Sequence, residues 1–81
     1  MDIKIKFFAM HREVAGRREE VLAMSPPATL KDLVNALEQR YPALKRLRES
    51  TIYCVNQRVV RGDLELKEGD EVALFPPVGG G

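Results

Sequence analysis

One stretch of this chain carries helical periodicity over several turns, and strand-like segments lie on both sides of it. Leu30, Leu33, Val34, Leu37 and Tyr41 recur at the spacing that gathers one apolar stripe along a helix. Thr29-Leu30-Lys31-Asp32 resembles a capping box, with Asp in the usual Glu place. Pro42 stops the helix near Tyr41. A single stripe can cover one face of one sheet. The rest of the chain must supply that sheet, and apolar residues on its other face stay uncovered.

The strand signals are short and spread along the chain. In residues 2–8, Ile3, Ile5 and Phe7 alternate with Lys4 and Lys6, the period of a half-buried strand. Phe8 breaks the rule and falls on the lysine face. Residues 9–15 suit one or two helical turns, with Gly16 as the stop. Residues 17–20 form a polar turn. Residues 20–24 read as a second strand antiparallel to the first, with Val21 and Ala23 on one face. Ser25-Pro26-Pro27 is a break. After the main helix, residues 43–50 hold a short helical turn through Leu44 and Leu47. Residues 51–55 are β-branched and aromatic and read as a strand. Asn56-Gln57 makes a tight turn, since Asn tolerates positive φ, and residues 58–60 return as a short strand. Leu64 and Leu66 fall in a connecting loop. Glu68-Gly69-Asp70 turns into a last strand over residues 71–75. That strand puts Val72 and Leu74 on one face, Ala73 and Phe75 on the other.

Strand, strand, helix, strand, short strand, strand is an α+β layout: a mixed sheet with one main helix packed across one face. The first and last strands are apolar enough to be central neighbours. This arrangement is the β-grasp, or ubiquitin-like, fold. The 81 residues fit one domain, a body over residues 1–75 with a flexible tail over 76–81. At 44% hydrophobic residues, a packed core is expected rather than disorder. Lys and Arg total 13 against 12 Asp and Glu, and the resulting charge of +1 argues against binding nucleic acid through phosphate neutralisation. No apolar run is long enough to span a bilayer and no signal peptide opens the chain, so no membrane is expected and the cytosol is the default compartment. The single cysteine excludes an internal disulfide and a Cys-rich metal site.

The tail Pro76-Pro77-Val78-Gly79-Gly80-Gly81 is stiff, then bare. Two prolines cannot join a strand interior, so the chain leaves the body there. Glycines pass through a gap that admits backbone only. Extended, the tail reaches about 20 Å, enough to carry a terminal carboxylate into another protein's active site. Taken alone, terminal glycines also read as a disordered end. The uncovered face of the sheet gathers Phe8, Phe75 and one of Val59 or Val60, and Ile52 and Cys54 are candidates to join them. A contiguous apolar patch of this kind marks a partner surface. It begins where the tail leaves, so it would dock the body while the tail reaches inward.

These residues resemble the MoaD-type sulfur carriers, the small subunits of molybdopterin synthase. The resemblance covers essentially the whole length. It rests on I-K-F-F-A-x-x-R-E-x-A-G at residues 5–16, V-N-Q at 55–57 and E-G-D-E-V-A-L-F-P-P-V-G-G-G at 68–81. Family members end in P-P-V-x-G-G, and here x is Gly79. The resemblance implies a mechanism. An activating enzyme of the ubiquitin-activating type uses ATP to adenylate Gly81. A sulfur donor enzyme converts the acyl adenylate to a thiocarboxylate. The tail, with Gly80 offering no side chain to the channel, enters the large synthase subunit, where sulfur attacks a cyclic pyranopterin precursor. Two such transfers build the dithiolene. The resemblance further implies an assembly of two small and two large chains, no cofactor bound to this chain, and catalytic groups supplied by the partners, so that this chain is no enzyme alone. Phe8, Val59, Phe75, Pro76, Pro77, Val78 and Gly79 would form the partner interface.

Rival readings share parts of this pattern. Thiamine-pathway and transfer-RNA-thiolation carriers share the fold and the Gly-Gly end, and a related carrier can be conjugated to protein lysines. A ubiquitin-like binding module with an unmodified tail is a rival of another class. Cys54 reads as a small strand residue. His11 has no evident metal or catalytic constellation. Arg12, Arg17 and Arg18 meet acidic partner surfaces or line a solvated turn. Lys45, Arg46 and Arg48 read as a solvated face.

Overall fold

The alternation of apolar and polar residues produces five short strands, which join into one sheet. The structure is a computed structural model, and it describes residues 1–77. The strands are β1 (Asp2–Phe7), β2 (Glu19–Ala23), β3 (Ile52–Val55), β4 (Arg58–Val60) and β5 (Glu71–Phe75). Their order across the sheet is β2-β1-β5-β3-β4. β1 and β5 run parallel, and the other neighbours are antiparallel. The first and last strands are therefore adjacent, as their apolar content suggested.

Register sorts the side chains onto two faces. Ile5 lies opposite Val72 and Phe7 opposite Leu74, and across β5 these two meet Val55 and Tyr53. Val60, opposite Tyr53, joins this face at the edge. Helix α2 (Leu30–Arg40) packs across it. Leu30, Leu33 and Leu37 are buried in one cluster with Ile3, Ile5, Phe7, Val72 and Leu74, and Val34 and Tyr41 lie against it. Tyr41 meets Phe7 edge to face, ring centroids 5.9 Å apart. The helix starts where the sequence placed it. The Thr29 hydroxyl accepts from the Asp32 backbone N–H at 3.2 Å, and the Asp32 carboxylate accepts from the Thr29 N–H at 2.9 Å.

Three local features differ from expectation. The turn after Pro42 extends to a 3-10 helix over nine residues, Pro42–Ser50, with Leu44 buried on its inner side. Leu66 is no loose loop residue. Its N–H donates to the Ala28 carbonyl, and the Leu64 carbonyl accepts from Leu30, so the loop is stitched to the start of α2 and its leucine joins the core. The set Lys45, Arg46 and Arg48 divides, because Arg48 reaches back to α2 and binds the buried Glu38 through two hydrogen bonds, one of them 2.8 Å from Nε. A buried carboxylate needs such a partner, and the partner lies ten residues along the chain. Lys45 and Arg46 are exposed.

The short helix α1 (Met10–Ala15) connects β1 to β2 and ends on Gly16 at φ 74°, the left-handed cap expected there. Asn56 and Gln57 both have positive φ and close the β3–β4 hairpin. Among the described residues, no helix is long and apolar enough to cross a membrane.

Candidate functional site

The face of the sheet away from α2 divides into two halves. Toward the end of β5 it is apolar. Phe8, just past β1, and Phe75 stack with ring centroids 4.4 Å apart and planes 9° from parallel. Ile52 lies opposite Phe75. Cys54 lies opposite Ala73 on one side and Val59 on the other, which extends the patch to the edge of the sheet. Val59 is 56% exposed. A recess of about 570 Å³ opens here, lined by Val59, Arg61, Phe75, Pro76 and Pro77. Toward the start of β5 the same face is charged and internally paired, Lys4 with Glu19 at 3.7 Å and Lys6 with Glu71 at 3.6 Å.

The expected interface residues Phe8, Val59, Phe75, Pro76 and Pro77 are thus brought together. Of the pair Val59 and Val60, Val59 takes the open face. Ile52 and Cys54 are part of the patch. Val78, Gly79, Gly80 and Gly81 lie outside the described residues. Two members of the site were not singled out from sequence, Ala73 and Arg61. Alternation in β5 puts Ala73 beside Phe75, but a small residue gives no interface signal by itself. Arg61 follows a strand too short to show which face it takes.

Phe8 owes its position to bonds on either side of it. Its N–H donates to the Leu74 carbonyl at 3.3 Å, which keeps it in line with the sheet for one residue past β1. The chain then turns sharply, and the third residue on, His11, is buried. His11 Nε2 lies 2.7 Å from the Thr51 hydroxyl. That hydroxyl has one proton and lies 2.6 Å from the Leu47 carbonyl, to which it donates. It therefore accepts from His11, which places a proton on Nε2. Burial pushes the His11 pKa below its ordinary value, and the Phe8 carbonyl opposes this in part. His11 acts as an anchor tying α1 to the junction before β3. Among the described residues there is no group of His, Cys, Asp and Glu that could hold a metal ion.

On the far side of the sheet two ionic clasps hold the helical elements. Tyr41 donates to the buried Glu20 carboxylate, whose other oxygen lies 3.3 Å from Arg40 Nε. The Arg48 hydrogen bonds hold the Glu38 carboxyl below its ordinary pKa against the opposing effect of burial. These groups stabilise the body and lie on the face opposite the apolar patch. The site is therefore an exposed apolar patch beside Pro76 and Pro77, with no metal-binding cluster among the described residues.

The comparisons agree with this geometry. The chain is 41% identical to the molybdopterin synthase sulfur carrier subunit of Chlamydomonas reinhardtii, over the full length of both. It is 40% identical to that of Escherichia coli K12, covering 98% of this chain and 99% of the other. The crystal structure of SAMP1 from Haloferax volcanii superposes with a TM-score of 0.87 at 32% identity, covering both chains entirely. A protein–protein complex of subunits 1 and 2 of molybdopterin-converting factor from Helicobacter pylori contains a chain of the same fold, at TM-score 0.73 and 26% identity over both full lengths. Residues 5–81 match the ThiS family. With its ubiquitin-like β-grasp fold and family match across nearly its whole length, this chain belongs to the ThiS family.

Proposed function

We propose that this chain is the sulfur carrier subunit of a molybdopterin synthase, acting in molybdenum cofactor biosynthesis. The observation that carries the reading is the stacked Phe8–Phe75 patch, placed where Pro76 and Pro77 lead the chain out of β5. A carboxylate is a poor electrophile. An adenylyltransferase of the ubiquitin-activating type first joins the Gly81 carboxylate to the AMP part of ATP, releasing pyrophosphate. A sulfur donor enzyme then displaces AMP and leaves a thiocarboxylate. The apolar patch docks on the large subunit, and the tail delivers the thiocarboxylate to a cyclic pyranopterin precursor. The thiocarboxylate sulfur bonds to the pterin, water cleaves the resulting thioester at the Gly81 carbonyl, and Gly81 returns to a carboxylate that is activated again for another round. Two rounds complete the dithiolene. In this reading ATP is used by the activating enzyme and no cofactor resides on this chain, which works in the cytoplasm in an assembly of two small and two large subunits.

Removal of Gly81 tests the reading. The shortened chain should still bind the large subunit and should form no dithiolene product in a reconstituted synthase. Product formation by the shortened chain would contradict the carrier role.

A second reading has support from the likeness to SAMP1, a small archaeal modifier protein. The activated Gly81 carboxyl would then also be passed to lysines of other proteins. Gly81-dependent conjugates of raised mass in cells, absent when the terminal glycine is deleted, would establish that use.

A further inference from the structure

We propose that Ala9 is a positioning residue, whose strained turn presets Phe8 for docking at a cost in stability. The inference rests on the docking reading above. The backbone of Ala9 has φ 51° and ψ −123°. These angles belong to the first central residue of a type II′ turn, a place that favours glycine because a Cβ there crowds the neighbouring backbone. The turn is closed by the His11 N–H donating to the Phe8 carbonyl at 3.0 Å. Elsewhere the chain meets positive φ with Gly16 and Gly69, and with Asn56 and Gln57 in the β3–β4 turn. At residue 9 it keeps a methyl group.

A non-glycine residue persists in such a region only where its surroundings over-determine it, and such residues gather at functional sites. Both flanks of Ala9 are fixed. Before it, Phe8 is hydrogen-bonded to Leu74 and stacked on Phe75. After it, His11 is 2% exposed and bound to Thr51. The strained residue thus joins an aromatic of the docking face to a buried anchor in the body. Alanine has a narrow range of allowed angles at this corner, whereas glycine has a broad one. The methyl group confines the Phe8 peptide to one direction. A ring already held in its docking position loses less freedom when a partner covers it.

Replacing Ala9 by glycine separates this role from a merely structural one, because stability and affinity should move in opposite directions. Ala9→Gly releases the strain, and that gain exceeds the extra freedom glycine gives the unfolded chain. Its Tm by calorimetry should rise by roughly 4–8 °C, while its Kd for the large synthase subunit by titration should weaken at least threefold. A Tm that stays level or falls, or a weakening below threefold, would overturn the inference. Phe8→Asp serves as the control. If Phe8→Asp docks as the parent does, the docking-face reading fails and this inference with it. If Phe8→Asp fails to dock while Ala9→Gly docks like the parent, only the role of Ala9 is lost.

Discussion

A proton added to His11 would land on Nδ1, the ring nitrogen without a hydrogen-bond partner among the described residues. Glu38 and Tyr53 line the same small cavity, yet burial dominates and the folded-state pKa lies below the ordinary 6.5. The unfolded chain therefore takes up this proton first as pH falls. Stability should be full above about pH 6.5, and should decline below it until the lowered folded pKa is reached. Denaturant unfolding between pH 7.5 and 5.5 should show this decline, and His11→Gln should flatten it. An unchanged slope in the variant would remove His11 from the account. Glu38 acts lower on the scale. Its folded pKa is depressed by Arg48, so its contribution is present above the ordinary value of 4.5 and lost as pH falls through the depressed one. Arg48→Ala should lower Tm at pH 7 more than Lys45→Ala or Arg46→Ala does. Neither residue's role was legible in the sequence. A partner 40 positions away, as Thr51 is from His11, leaves no periodic mark. Arg48 sits in a charged run that looks like ordinary solvated surface.

At the scale of elements, the signals that are local in cause were legible. The capping box around Thr29 and Asp32 needs four consecutive residues and was visible in them. Thr29→Ala should destabilise the fold by about 0.5–2 kcal/mol. Adding Asp32→Ala should cost less than the sum of the single changes, because the two side chains share one motif. Urea unfolding of both single variants and the double variant measures this. The apolar stripe was equally plain, and Leu33, fully buried at its centre, should cost about 2–5 kcal/mol when cut to alanine. The full 3-10 helix was less legible. Pro42–Ser50 carries three basic residues and only two leucines, so its length depends on contacts with α2 through Arg48 and Leu44. The burial of Leu66 likewise depends on backbone bonds to the start of α2.

For the whole molecule, the decisive inference from sequence was that one helix covers only one face of the sheet. Register then places Phe8, Phe75, Ile52, Cys54 and Val59 on the other face, with the core opposite. A charge in the patch should spare the core. Phe75→Asp should keep a folded chain by circular dichroism and should fail to co-purify with the large subunit. Normal co-purification would remove Phe75 from the interface. The body thus has its core on one side of the sheet and an apolar patch on the other, and the proposed function uses that patch for docking and the tail for the chemistry. The most direct test is the intact mass of the chain after incubation with its activating enzyme, ATP and a sulfur donor. The account predicts a gain equal to one exchange of oxygen for sulfur, localised to Gly81. An unchanged mass, with the activating enzyme shown to be competent on another carrier, would contradict it.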